Sequence, residues 1–405
     1  MAPARQRSIR RGLLMVSVMF IAAASAGQGR SRGRIVAPLD DTRAPLAFHY
    51  APSLSPEALA WYSRFDVLVT HDPLPRDQVE QLHAAGTKVL FYEWSVAFYE
   101  SRATAWQRSL LSDGRDLLNE TPLTGWAGSM DSAAWYFDPM SPEHEFGRVE
   151  DIVRRLRETG YDGVFFDTTT VASVHPEARK EYEIRHPHVP YDLAFSRFLV
   201  HLRQRHSAAI LFTNQGYRSA EHYLPHVDWD LTESLITGPE NGSYQLRAWN
   251  DASSPWSSTY FVMRTMIEPL AAKYPHVRFG HLNYVSGASA EKIRIVVAAA
   301  QLFGGHGYAA APSVGEEADA IYFRDAGKAV SPLFDTSGGK AAWRFFENGL
   351  IVVTAANHEI TIRNLSRKGL RNHLTGELHC GDTITLPATP EGTRAHFFDY
   401  SAGCR

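Results

Sequence analysis

Eight short apolar, β-branched or aromatic runs recur between residues 46 and 313, and most are followed by a helix-like stretch before the next begins. Parallel neighbours in a sheet need a long crossover, usually a helix, so this alternation is the pattern of βαβ units. The predicted strands are 46–50, 66–70, 88–94, 163–168, 209–214, 228–234, 277–283 and 307–311, and predicted helices span 76–85, 142–159, 191–206, 258–274 and 290–303. In the second helix Val149, Ile152, Val153 and Leu156 share one face, and Gly160 follows as a left-handed stop. A ninth run, 134–139, is short and closes on Asp138-Pro139, so it reads as part of the loop after the third strand. Eight units predict a (β/α)8 TIM barrel over 46–335, because an open doubly wound sheet more often carries a Gly-rich turn after its first strand. From about Trp343 short alternating runs at 343–347, 350–354, 359–363, 383–386 and 395–400 predict a small antiparallel, sandwich-like β domain over 336–405. The Gly- and Ser-rich segment 313–340 reads as the connection.

The amino end carries four arginines, an apolar run from Leu13 to Ala24 and the small triplet Ala24-Ser25-Ala26, in the order of a secretory signal peptide. Residues 1–26 are read as that peptide, 27–45 as a linker, and the protein as secreted or periplasmic. The run is shorter than the roughly 20 residues that span a bilayer, so no stable membrane insertion is expected after cleavage. A formal net charge of −3 excludes the basic footprint of a nucleic-acid binder. The two cysteines, Cys380 and Cys404, suit an oxidising compartment and can form one bridge, but spacing does not decide it. Eighteen histidines are scattered without a two-histidine helical metal motif, so no metal and no cofactor are expected. Asn119, Asn241 and Asn364 match glycosylation acceptors.

Barrels carry chemistry at the C-terminal ends of their strands. Those ends hold His49-Tyr50, His71-Asp72, Glu93-Trp94, Asp167-Thr168, Asn214-Gln215, Glu233-Ser234, Asn283-Tyr284 and Tyr308. A donor, acid or aromatic at nearly every end predicts one polar cleft. Asp167 ends an apolar strand and has no turn to make, unlike Asp162 beside Gly163. Glu233 ends a strand two units further round. Two carboxylates on separate rigid strands suit glycosidic cleavage, in which one acid protonates the leaving oxygen and the other acts as nucleophile or activates water. Asp167, flanked by threonine hydroxyls, is the candidate for the ionised role and Glu233, on a strand with Trp229 and Leu231, for the general acid; the residues themselves leave the reverse assignment open. His49, Tyr50, His71, Glu93, Trp94, Asp138, Asn214, Gln215, Asn283 and Tyr284 are the candidate substrate-binding residues.

Gly-Tyr-Asp-Gly-Val-Phe-Phe-Asp at 160–167, Phe-Thr-Asn-Gln-Gly at 212–216 and Thr-Glu-Ser-Leu at 232–235, in that order, resemble barrels related to glycoside hydrolase family 114. The resemblance spans roughly 46–355. It implies a polysaccharide or oligosaccharide substrate, endo-action, catalytic carboxylates at Asp167 and Glu233, and a sugar subsite lined by Asn214 and Gln215. The family includes endo-α-1,4-polygalactosaminidases, but Thr168-Thr169-Thr170 stands where Asn or Asp often follows the catalytic Asp, so the amino sugar is not inherited with the fold. The competing reading is a glycan-binding barrel without turnover. A polysaccharide deacetylase would need a metal site that the sequence does not display.

Overall fold

All eight expected strands form, each within about two residues of its predicted bounds, in a computed structural model. It describes residues 43–404 apart from 114–115, 125–132, 235, 241–242, 248, 251–258, 286–289, 311–318, 356 and 389–391. The segment read as a signal peptide, nearly all of the linker, and Asn241 lie outside the described residues.

The barrel strands are β1 (Ala44–His49), β2 (Phe65–Thr70), β3 (Lys88–Trp94), β4 (Gly163–Asp167), β5 (Ile210–Asn214), β6 (Trp229–Glu233), β7 (Arg278–Tyr284) and β8 (His306–Ala310). They pair in parallel in sequence order, and β8 returns beside β1 to nearly close the barrel. Inside it Phe48, Phe165, Phe212 and Tyr308 meet ring to ring, with Phe165 edge-on to Phe212 at 5.0 Å. This aromatic plug fills the barrel and floors the cavity above it. Gly280 makes room for it, since a Cβ there would lie 2.7 Å from Leu46 Cδ2 and 3.2 Å from the Phe212 ring.

The helix Arg148–Thr159 buries Val149, Ile152, Val153 and Leu156 and ends at Gly160, whose φ of +79° supplies the left-handed stop. Its first predicted turn is instead a wider π turn, Glu143–Gly147. Residues 134–136 form a strand paired antiparallel with Ala97–Tyr99, outside the barrel, as expected of the loop after β3. Two of the sequence-matched acceptors, Asn119 and Asn364, are buried and donate their amides to backbone carbonyls, Asn119 to Thr121 and Ala134 and Asn364 to Lys368.

After the barrel a six-stranded antiparallel sheet begins at Phe334–Asp335, inside the segment read as the connection. Ile360–Arg363 and Thr383–Leu386 form a second, two-stranded sheet, and Phe345, Leu350, Ile362, Ile384 and Phe398 share a core with them. Phe346, Ile351, Val353 and Phe397 belong instead to the core of the barrel, where their sheet packs on the helix Ala290–Leu302. Cys380 and Cys404 are bonded, across 24 residues of sequence. Closing a loop of that length removes about 3 kcal/mol of unfolded-chain entropy. Reduction, or Cys404→Ser, is expected to lower stability by up to about that amount and leave the barrel's ligand binding unchanged; denaturant titration with and without reductant reads it.

Candidate functional site

A cavity of about 750 Å³ opens at the C-terminal ends of the barrel strands. Its lining includes Asp167, Glu233, Asn214, His49, Tyr50, His71, Trp94 and Tyr284 among the residues expected there, while Glu93 borders it only with its partner Arg155, on the helix side of β3. Asp138, Gln215 and Asn283 are not in the lining. Asp138 is buried in the loop after β3, where it meets His186 at 2.9 Å and accepts from the Met140 N–H. Asn283 sits one residue out of phase with Leu282 and Tyr284, which face the cavity, and accepts from Ile236 N–H. Gln215 is the turn residue after β5, its N–H continuing the ladder to Leu231 O at 2.8 Å.

The same alternation separates β3. Tyr92 and Trp94 share one face, and the Tyr92 hydroxyl donates to Asp167 Oδ2 at 2.6 Å. Glu93 points the other way, to Arg148 at 3.1 Å and Arg155 at 2.8 Å on the helix behind. Burial alone would raise its carboxyl, but Arg155 and Arg148 outweigh that and hold it below the ordinary range. It is a buried ion-pair residue, and among the described residues its hydrogen bonds go to Arg148 and Arg155.

Each of the three central strands ends in a polar side chain followed at once by a left-handed residue: Asp167 by Thr168 (φ +52°), Asn214 by Gln215 (+61°), and Glu233 by Ser234 (+53°). Non-glycine residues seldom adopt this conformation, and such strain gathers at functional sites. Here it turns the Thr168 N–H back onto Asp167 Oδ1 at 2.8 Å. The threonine hydroxyls expected around the anion do not reach it. Thr169 donates to Asn214 O, and the buried Thr168 hydroxyl has no partner among the described residues.

Asn214 joins the two acids. Its amide nitrogen donates to Asp167 Oδ1 at 2.7 Å and to Glu233 Oε2 at 2.6 Å, so the sum of those lengths, 5.3 Å, is the upper limit on the separation of the two oxygens. The second oxygen of each acid accepts from a tyrosine, Tyr92 for Asp167 and Tyr284 (2.9 Å) for Glu233. Tyr284 in turn meets the Tyr50 hydroxyl at 3.0 Å. Burial and then the charge of Asp167 push the Glu233 carboxyl up to about 7, against the bonds from Asn214 and Tyr284. Burial keeps His49 and His71 below the ordinary histidine value, and raises the Tyr92 hydroxyl, with Asp167, well above the usual range.

Asp230, on the opposite face of β6, has a different task. It accepts from the Thr213 hydroxyl and from the N–H groups of Gly216 and Tyr217, fixing the turn that aims Asn214. Burial pushes it up to about 7 as well. Gly216 is required there, because a Cβ would lie 2.8 Å from Asp230 Oδ1.

Trp94 stacks on Tyr99 at 4.6 Å along the cavity wall and offers the flat apolar surface on which a sugar ring can lie. Asp72, beside His71 at the end of β2, also lines the cavity, and Tyr92, Tyr99 and Arg102 line it without having been expected. Strand parity with Trp94 was the available signal for Tyr92, while the others come from loops. Among the described residues no three histidine, cysteine or acidic side chains converge as a metal site would need, and no helix is long and apolar enough to cross a membrane.

No family model matches the chain, and no curated protein does. Similar solved structures include Eubacterium rectale Amy13B, at 9% identity over 89% of this chain and 96% of that one, with a TM-score of 0.53. An alpha-amylase from Anoxybacillus, described as a new glycosyl hydrolase subclass, gives 10% identity over 90% and 99%, with a TM-score of 0.52. The glycoside hydrolase domain of PelA from Pseudomonas aeruginosa gives 19% over 68% and 96%, with a TM-score of 0.49. At these identities the first two establish the shared fold, a TIM barrel that glycoside hydrolases also use.

Proposed function

We propose that the chain is a retaining glycoside hydrolase of polysaccharides, with Asp167 as nucleophile and Glu233 as general acid and base. The observation that carries this reading is the Asn214 bridge, which holds two carboxylates of unequal surroundings on facing strand ends. Retaining enzymes keep their carboxyls about 5–5.5 Å apart and inverting ones about 6.5–9.5 Å. An oxygen separation of at most 5.3 Å favours the first. In the first step an Asp167 oxygen bonds to the anomeric carbon as the glycosidic C–O bond breaks, and Glu233 gives its proton to the leaving oxygen. In the second, water attacks the same carbon, its proton passes to Glu233, and the Asp167 ester bond breaks, so both acids return to their starting states.

Asp167 suits the anion because it accepts three hydrogen bonds, from Tyr92, Asn214 and the Thr168 N–H. Glu233 suits the acid because it keeps a proton up to about pH 7. As the acid must be protonated, kcat/KM is expected to fall as pH rises through about 7. The family-114 resemblance carries the endo mode, and the leader at 1–26 carries export. In this reading the domain from 336 onward supports the barrel and does no chemistry. His49, Tyr50, His71, Trp94, Asn214 and Tyr284 contact the sugar or hold the acids.

The test is a panel of amino-sugar and neutral polysaccharides assayed for new reducing ends, with the product anomer read by proton NMR before it mutarotates. A ladder of oligosaccharides with retained configuration is expected. Tight binding to one glycan with no new ends would establish the non-catalytic reading instead, and inverted product would remove Asp167 from the role of nucleophile.

A further inference from the structure

The two acids are held almost symmetrically, each by the shared Asn214 amide and by one tyrosine, yet the tyrosines differ. All three groups bonded to Asp167 act as donors: Tyr92, the Asn214 amide and the Thr168 N–H. Protonating Asp167 on Oδ2 toward Tyr92 would make Tyr92 turn its own hydrogen away, and among the described residues no second hydroxyl stands beside Tyr92 to receive it. On the Glu233 side, Tyr284 has the Tyr50 hydroxyl at 3.0 Å as a second partner. A tyrosine hydroxyl donates once and accepts as well, so Tyr284 can face Glu233 in either sense. When Glu233 is ionised, Tyr284 donates to Oε1. When Glu233 is protonated on Oε1, that hydrogen is given to Tyr284, and Tyr284 turns its own to Tyr50.

We propose that Tyr284 and Tyr50 form a two-position hydroxyl switch that lets Glu233, and not Asp167, alternate between its protonated and ionised states. Tyr284 is a positioning residue for the ionised form and Tyr50 one for the protonated form. The inference rests on the proposed role of Glu233 and adds to it what sets which acid holds the proton. Other titratable groups facing the pair are Asp167 and Tyr92 from β4 and β3, with His71 against the Tyr92 and Tyr50 rings. None of them is removed by either substitution below.

The two hydroxyls act on opposite sides of the equilibrium, so their removal moves it in opposite directions. Tyr284→Phe takes a donor from ionised Glu233, and its titration is expected to shift to higher pH by about half a unit or more. Tyr50→Phe leaves Tyr284 as donor but takes away the group to which it turns, and the titration is expected to shift lower. The readout is the infrared carbonyl stretch of the protonated Glu233 carboxyl, followed against pH in the full protein without substrate. It is assigned as the band lost in Glu233→Gln, which separates it from the buried Asp230. Opposite shifts in the two variants support the switch, and a downward shift in Tyr50→Phe alone suffices if Tyr284→Phe does not fold. Shifts of the same sign, or none in Tyr50→Phe, overturn it. Because the measurement needs no turnover, failure of the hydrolase reading shows separately, as a wild-type protein that cleaves nothing on the panel.

Discussion

Asp167→Asn and Glu233→Gln are each expected to lower turnover by about 100-fold or more on any glycan that the wild-type protein cleaves. Each substitution keeps the size of the side chain and most of its hydrogen bonds while removing the ionisable group. Asn at 167 can still meet Tyr92 and the Thr168 N–H, but a neutral amide oxygen is a far weaker nucleophile than a carboxylate. Gln at 233 can still accept from Tyr284, but has no proton to give. Neither change should unfold the barrel, since each replaces a carboxyl by an amide of the same shape and creates no cavity. Thermal melting should therefore remain close to wild type, and the alkaline fall in kcat/KM near pH 7 should disappear in whatever activity Glu233→Gln retains. Near-normal turnover by either variant would end the two-carboxylate assignment.

Arg148→Ala should instead cost stability, by about 3–5 kcal/mol, because it breaks a buried ion pair from one side. Arg148 is 0% exposed and Glu93 5%. Besides the pair with Glu93, the guanidinium donates to Ser95 O at 2.6 Å and Trp94 O at 3.1 Å, and it meets His144 Nε2 at 2.9 Å. Removing it leaves Glu93 with Arg155 alone, strips donors from two buried carbonyls, and opens a void against Phe137 and Phe198. Those carbonyls belong to the exit of β3, which carries Trp94 into the cavity. Urea titration reads the loss, and a change under about 1 kcal/mol would mean that the charge cluster behind β3 does not hold that strand end. Glu93→Gln should also destabilise, while lowering turnover far less than either change at Asp167 or Glu233.

The barrel was legible because its signal is repeated: eight apolar runs each end in polar residues, and every strand came within about two residues of expectation. Short helices such as Pro56–Tyr62 and Pro176–Arg185 were not assigned, since a proline start and seven to ten residues give little periodicity. At the site, the strand ends identified Asp167, Asn214 and Glu233, whereas side-chain direction decided the rest. Glu93 and Asn283 lie one residue out of phase with cavity-facing neighbours, and Tyr92 lies in phase with Trp94; a strict period of two along β3 and β7 would have sorted them. Other features have no local signature. The left-handed turns at Thr168, Gln215 and Ser234 use residues that do not favour them, the Asn214 bridge depends on three strands meeting, and the positions of Tyr99 and Arg102 in the segment after β3 follow from tertiary structure. The bond between Cys380 and Cys404 likewise needed the two chain segments to be brought together.

The most direct measurement of the central claim is to trap the covalent intermediate. Glu233→Gln protein would be mixed with the glycosyl fluoride of the sugar selected by the glycan panel, because a fluoride leaves without needing a proton while the water step still lacks its base. Acid quenching and peptide mapping by mass spectrometry then locate the ester. The account predicts one glycosyl adduct, on Asp167. An adduct on another residue, or none together with inverted product from the wild-type protein, would contradict it.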